Sequence, residues 1–287
     1  MNLKTLRWIN SIAFLMMILI NALANLVPFG IGTTGAVSQK YENLFTPAPV
    51  TFYVWGVIYI FMALFVAYQW GWFDKGQRSP QLTERIGLWF ALSCLSNIGW
   101  IFAWHFDAIF LSLIMIVCLL LTLLVIVEKR FPFQKTTVET ISVRVGFDIY
   151  FGWIIVATIA NVCVLLTKIG WKGFGIPQTI WMVLLLAVAA CVGIAAVFLR
   201  HRRYAALTMI WAFAGILIRH ISQDGYRGQY PVVITAAIIA IILVGMAVLF
   251  DAIRIRNANK LRKARCYADG AVKNAEEDSC RICGYQK

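Results

Sequence analysis

The sequence predicts an all-α protein, a polytopic bundle of about eight transmembrane helices. Of its 287 residues, 61% are hydrophobic and only 14% are charged, whereas charged residues make up about 25% of a soluble domain. The mean hydropathy is +0.77. Apolar runs of about 20 residues, the length needed to cross a bilayer, recur along the whole chain. The lipid bilayer is therefore the first partner that the composition implies.

Apolar periodicity and the polar breaks between runs predict the spans in order. The first run follows Lys4 and Arg7 and shows no clear small-residue cleavage pattern, so it is predicted to be a span and not a signal peptide. The predicted spans are 8–28, 50–72, 86–104, 108–127, 145–166, 178–199, 204–221 and 231–250.

The basic charge is distributed so that it orients the protein. The net charge is +13, and 21 of the 26 Lys and Arg residues fall on one side of the predicted bundle, with five on the other. This asymmetry follows the positive-inside rule and predicts a multi-pass protein of the cell membrane with both termini in the cytoplasm. It argues against a nucleic-acid partner, although basic residues near the inner surface can touch anionic lipid headgroups.

Three connections between spans carry their own predictions. The first loop, 29–49, is rich in Gly and Pro and either folds over the bundle as a lid or is a solvated connector. Asp107, in the very short turn between spans three and four, is predicted to cap span four. Arg144 and Asp148 are four residues apart on a helix, a spacing that predicts an ion pair at the inner end of span five.

The C-terminal tail, 254–287, is basic and polar, and its first turns are predicted to continue the last helix. It contains Cys266 and the pair Cys280 and Cys283. Structural zinc needs four ligands, so three thiols do not complete a site within one chain. A site shared in a dimer or plain unpaired thiols are the alternatives. A disulfide is not expected on the reducing side of the membrane.

Two helical stripes place polar and aromatic side chains inside apolar runs. In span three, Asn97 and Trp100 are three residues apart. In span five, one face carries a longer stripe at helical spacing. Span two adds a third aromatic face. The stripe of span five consists of Tyr150, Trp153, Ala157 and Asn161. The face of span two carries Trp55 and Tyr59. Taken singly, each stripe is explained by interfacial aromatics or by helix–helix hydrogen bonds. Together they indicate a ligand pocket.

These three blocks resemble the TspO/MBR family, the tryptophan-rich sensory proteins and mitochondrial translocator proteins. The span-two series Pro47, Pro49, Phe52, Val54-Trp55 and Ile58-Tyr59 is similar to the family pattern, as are the Asn-x-x-Trp of span three and the Tyr, Trp, Ala, Asn series of span five. The chain is similar to a divergent, elongated member. The resemblance covers residues 1–170, and it implies a five-helix core followed by three additional helices over 171–253 and the tail at 254–287.

The resemblance implies a pocket near the mouth of the core that binds porphyrins, sterols or other flat aromatic ligands for sensing or transport. Flat rings suit a cavity lined by Trp and Tyr, and an Asn can orient them by hydrogen bonding. It also allows a homodimer, and a porphyrin- or heme-type molecule is the one cofactor class it suggests. The implied ligand contacts are Phe52, Trp55, Tyr59, Asn97, Trp100, Tyr150, Trp153, Ala157 and Asn161.

Other function classes find less support in the residues. A secondary transporter remains an alternative, but Asp148 is the main ionisable group within the spans and lies near an inner end, whereas ion-coupled carriers place such groups near the midplane. The sequence shows no nucleophile–base pair, metal-ligand set or phosphate-binding loop, so neither an enzyme nor a metal site is expected. A helical scaffold that recruits partners through its basic tail is the remaining alternative.

Overall fold

The computed structural model describes residues 2–27, 30, 32–72, 80–129, 136–268, 279–280 and 285–286, and in these ranges the chain is almost entirely helical. The helices are α1 Leu3–Leu26, α2 Thr34–Lys40, α3 Val54–Trp70, α4 Pro80–Ile86, α5 Trp89–His105, α6 Ile109–Lys129, α7 Thr137–Glu139, α8 Gly146–Lys168, α9 Gln178–Arg200, α10 Arg203–Ile221 and α11 Pro231–Ala268. Short 3₁₀ turns cover Pro49–Tyr53 and Gly173–Gly175. Strands β1 Ser279–Cys280 and β2 Tyr285–Gln286 pair antiparallel.

The predicted all-α membrane bundle is confirmed. Seven helical segments in the described ranges are long and apolar enough to cross a bilayer, and α4 and α5 together make an eighth span bent by 42°. The bend lies at Gly87, whose φ of +54° is accessible to glycine without steric cost. Helix α11 continues unbroken beyond residue 250, as the sequence predicts for the start of the tail.

Local sequence signals explain where the helices begin and change pitch. Thr136 and Glu139 form a capping box at the start of α7. The side chain of each residue accepts a hydrogen bond from the backbone amide of the other. The helix then passes through a π-helical segment, Thr140–Val145, into α8. At the far end of α3, Gly71 adopts φ +80° and caps the last turn in the left-handed conformation.

Helix α10 joins the last three helices to the first five, because it packs against α8 as well as α9 and α11. Two glycines make this approach close. A Cβ atom on Gly152 of α8 would lie 2.3 Å from the carbonyl oxygen of Ala205, and one on Gly215 of α10 would lie 1.9 Å from Thr51 Oγ1. Only glycine fits at such contacts, which are typical of helix packing in membranes.

Charged side chains tie the helices together at the end of the bundle opposite the first loop. Arg202 donates to Glu128 of α6 at 2.6 Å and lies 4.0 Å from Asp148 of α8. The buried Asp251 of α11 pairs with His201 at 2.8 Å and with Arg203 at 3.5 Å. Arg144, predicted to pair with Asp148, donates to the carbonyl of His201. The short 200–203 connection is therefore a junction between α6, α8, α10 and α11.

Candidate functional site: an aromatic chamber beneath the first loop

A cavity, here called the aromatic chamber, lies where α3, α5 and α8 meet under the first loop. The indole of Trp55 contacts other aromatic rings of its wall. It stacks on Trp100 with ring centroids 5.6 Å apart and meets Trp153 edge to face at 6.2 Å. The residues around the chamber are Thr34, Ser38, Phe45, Pro47, Phe52, Trp55, Trp100, Trp104, Trp153, Val156, Ala157, Ala160 and Asn161. Offset and edge-to-face aromatic contacts of this kind order the rings of the wall.

Six of the nine residues predicted to contact a ligand line this chamber, and three do not. Phe52, Trp55, Trp100, Trp153, Ala157 and Asn161 line it. Tyr59, Asn97 and Tyr150 belong instead to a buried hydrogen-bond network. The amide of Asn97 donates to Tyr150 at 2.9 Å, and Tyr59 donates to Asn21 of α1 at 2.7 Å. A direct contact of these three residues with a ligand stays a prediction.

Asn21 closes this network, and sequence reasoning did not single it out. Its side-chain amide donates to Asn97 Oδ1 at 2.7 Å and to the backbone carbonyl of Met17. Asn21 and Asn97 are both buried. The signal that could have found this residue is a polar amide in the middle of the first apolar run, where an unsatisfied polar group is costly.

Three hydrogen-bond donors in the chamber wall have no acceptor in the described part of the chain. They are Trp100 Nε1, Trp153 Nε1 and Asn161 Nδ2. Their side chains are 4%, 3% and 1% exposed. The oxygen of the Asn161 amide accepts from Ser112 at 3.2 Å, so only its nitrogen is unused. Buried polar groups are almost always paired, so these three donors are available to an acceptor that enters the cavity.

The chamber as it stands is small. Its cavity volume is about 40 Å³, close to the space of roughly one water molecule. Small-molecule sites usually enclose about 300–1,000 Å³. A planar ligand therefore requires outward movement of part of the wall, and the first loop is the part that is not a spanning helix.

The first loop folds over the chamber, which decides between the two predicted alternatives in favour of a lid. Its helix α2 is held down by Trp104, whose indole Nε1 donates to the carbonyl of Thr34 at 3.1 Å, and Val37 on its inner face is fully buried. Gly30 approaches α5 so closely that a Cβ atom would lie 2.2 Å from the carbonyl oxygen of His105.

Asp107 fastens one end of this lid, and its predicted role as a helix cap is wrong. Helix α6 begins at Ile109, so Asp107 lies one residue too early. Its carboxylate accepts from Tyr41 at 2.7 Å and pairs with Lys40 at 3.0 Å and Lys168 at 3.2 Å. Desolvation opposes ionisation of this carboxyl, but the hydrogen bonds from Tyr41 and the two lysines outweigh it and lower the pKa of Asp107 below its usual 3.8.

The turn after α10 fastens the other end of the lid. His220, which is buried, binds the carbonyl oxygen of Leu44 through Nε2 at 3.0 Å. Tyr226 donates to the carbonyl of Asn43, and Arg219 lies 3.5 Å from Glu42. The amide of Ala48 donates to the carbonyl of Gly215 at 2.9 Å. The sequence places the residues 219–224 only at a span end, so no local signal reveals a contact 176 residues away.

No cluster of His, Cys, Asp or Glu able to hold a metal ion occurs among the residues that the structure describes. Cys283 lies outside these residues, and nothing is described of the side chains of Cys266 and Cys280. The prediction about tail thiols therefore stays untested.

A comparison with known proteins identifies the family. No curated protein matches the chain and no solved structure matches it. A family model described as TSPO-like protein matches residues 7–250. The match runs from α1 to the apolar part of α11, through all eight spans. With its bundle of apolar helices and its aromatic clusters, the chain is thus a multi-pass membrane protein that belongs to the TSPO-like protein family.

Proposed function

We propose that the protein binds a flat hydrophobic ligand that carries carboxylate groups, of the porphyrin or other tetrapyrrole class, in the aromatic chamber. The observation that carries this proposal is the set of three unpaired buried donors at Trp100, Trp153 and Asn161. The three unpaired groups are all donors, so they match a ligand group that offers acceptors alone. A carboxylate does so, whereas a sterol hydroxyl also needs an acceptor from the protein.

The aromatic walls supply the affinity for a planar body. Trp55, Trp100 and Trp104 form a continuous stack with centroid separations of 5.6 and 5.8 Å. A ring system entering beside this stack gains both apolar burial and offset stacking. Entry requires the lid to lift, because the chamber holds only about 40 Å³. The ligand would therefore be sensed or carried through a lid movement, since binding and opening are coupled.

Transport coupled to ions is a weaker reading of the same structure. The buried acidic groups Asp148 and Asp251 lie among arginines and a histidine at the end of the bundle away from the lid. Their ion pairs hold neighbouring helices together at that end, and neither residue lines the aromatic chamber.

The test is a titration of the protein in nanodiscs with protoporphyrin IX, in which tryptophan fluorescence is measured at each ligand concentration. We expect saturable quenching in the wild type. Trp153→Leu and Asn161→Leu each remove one donor and should weaken binding about tenfold or more, as for hydrogen bonds to a charged group. The matched control is Trp72→Leu, because Trp72 is 77% exposed and outside the chamber.

The dimethyl ester of the same porphyrin adds a second comparison. It keeps the ring but loses the charged carboxylates, so the wild type should bind it more weakly than the acid. If Trp153→Leu and Asn161→Leu bind protoporphyrin as tightly as the control Trp72→Leu, or if quenching never saturates, the porphyrin only partitions into the bilayer. Either result would overturn the proposal.

A further inference from the structure

A second, larger cavity lies between α8 and α9, outside the aromatic chamber. Its volume is about 370 Å³, within the range of small-molecule sites. It is enclosed by the last turns of α8, the turn 171–177, the first turns of α9 and the lid segment 43–45. Helix α9 is the first of the three helices that follow the five-helix part, so this cavity depends on a helix outside that part.

The walls of the α8–α9 cavity are apolar and ordered. Trp171 and Trp181 lie with ring centroids 5.2 Å apart. The indole nitrogen of Trp181 donates to the carbonyl of Gly173 at 3.1 Å, so its polar edge is already satisfied. Leu166 and Met182 complete the opposite walls. These side chains can bury an aliphatic or aromatic body.

The rim carries the polar groups. Lys172 and Gln178 border the cavity, both are exposed, and neither has a hydrogen bond or ion pair within the described part of the chain. Lys168, one turn earlier, is in contrast paired with Asp107. Gln178 is also the first residue of α9, where the helix dipole adds to the positive potential. The rim is thus complementary to a single negative charge.

We propose that the α8–α9 cavity binds a hydrophobic carboxylate, with its apolar body between Trp171, Trp181 and Met182 and its acid group on Lys172 and Gln178. A free single-chain acid is the occupant rather than a bilayer phospholipid, because about 370 Å³ lies near the lower limit for ligand sites and leaves no room for two acyl chains and a headgroup.

This site is distinct from the aromatic chamber, although one residue separates them. Phe45, which is 2% exposed, is the residue common to the two described linings. The donors of the chamber, at Trp100, Trp153 and Asn161, do not border the α8–α9 cavity. The proposal therefore stands independently of porphyrin binding.

The experiment uses the full chain in phosphatidylcholine nanodiscs, with 9,10-dibromostearate as a quencher of tryptophan fluorescence. We expect saturable quenching. In Trp181→Phe the quenching should be smaller, because the substitution removes a fluorescent indole that lines the cavity while an aromatic ring stays in its place. Lys172→Glu should weaken binding about two- to fivefold, the effect of losing roughly one exposed ion pair. The methyl ester of the probe should lose affinity by a similar factor. The matched control is Lys260→Glu, on an exposed lysine of α11.

Two further measurements separate the alternatives. Nanodiscs that contain phosphatidylglycerol test the lipid source: if that lipid displaces the probe, the occupant is a bilayer lipid and the proposal is wrong. Unchanged affinity in Lys172→Glu, or quenching that never saturates, overturns it as well. Lys172→Glu should bind protoporphyrin with the same affinity as the wild type, because Lys172 does not border the aromatic chamber. The two titrations therefore test the two proposals separately.

Discussion

Asn21 on α1 donates a 2.7 Å hydrogen bond to Asn97 on α5, and Asn97 in turn donates to Tyr150 on α8 at 2.9 Å. One amide therefore joins three spanning helices at a buried position. In hydrocarbon such a group has no water to replace a lost partner. The Asn of the Asn-x-x-Trp pattern thus holds the helices that position the chamber, whereas the Trp of the same pattern lines it.

Asn97→Ala should therefore lower stability more than it lowers ligand affinity. The substitution leaves Asn21 and Tyr150 with unsatisfied buried groups, and we expect a loss of about 1–3 kcal/mol. Thermal denaturation in detergent, read by loss of the monodisperse species, measures it. Asn25→Ala is the matched control, because Asn25 is an exposed asparagine of α1 whose side chain, within the described residues, bonds only to its own helix. Equal melting temperatures for the two variants would contradict the assignment.

Gly152→Ala should weaken the packing of α10 on the first five helices. The added methyl would lie 2.3 Å from the carbonyl oxygen of Ala205, so backbone must move, and overpacking of this kind costs about 1–3 kcal/mol. Gly245→Ala on α11 is the control, since a Cβ atom there meets nothing within 4 Å. We expect the first variant to melt at a lower temperature and the second to melt like the wild type. The reverse order would contradict the close α8–α10 approach.

Asp107→Asn should release one end of the lid. The amide keeps the size but loses the charge that holds Lys40 and Lys168. Hydrogen exchange across α2 should become faster. Asp224→Asn should leave the rate unchanged, because Asp224 is exposed and its carboxylate has no partner in the described part of the chain. An unaltered exchange rate in Asp107→Asn would show that Trp104 and the α10 turn suffice to hold the lid.

The same carboxylate sets a pH window for the lid. The pKa of Asp107 is lower in the folded protein than its usual 3.8, so its contribution to stability is fully present above pH 3.8. It is lost as the pH falls through the lower folded value. The protection factors of the α2 amides, which correct for the pH dependence of intrinsic exchange, should thus be independent of Asp107 ionisation from pH 8 to pH 5 and should fall only in stronger acid. A midpoint near neutrality would contradict this assignment.

The predicted orientation is tested with single cysteines. We expect both termini in the cytoplasm, since most basic residues lie on their side. A cysteine at Gln223, in the turn after α10, should react with an impermeant maleimide on intact cells. One at Asn257, on the extension of α11, should react only after permeabilisation. Both positions are exposed. The opposite pattern would invert the topology.

Much of this architecture follows from the sequence because it depends on local physics. Bilayer-length apolar runs locate the helices, and the stripes through Trp55, Trp100 and Trp153 identify the faces that converge. What could not be predicted depends on residues far apart in the chain. The hydrogen bond from Asn21 to Asn97 forms only because α1 packs beside α5, and Asp107 looked like a helix cap until the lid brought Tyr41 to it.

The hydrogen bond from His220 to Leu44 has a consequence for biogenesis. These residues are 176 positions apart, so a ribosome that has inserted the first five helices has made a chamber whose lid is held by Asp107 and Trp104 but not yet by the turn after α10. The close contact of Gly215 with Thr51 likewise forms only once α10 enters the membrane. A nascent chain therefore passes through a stage in which only one end of the lid is held, and a truncation at residue 170 would trap it there.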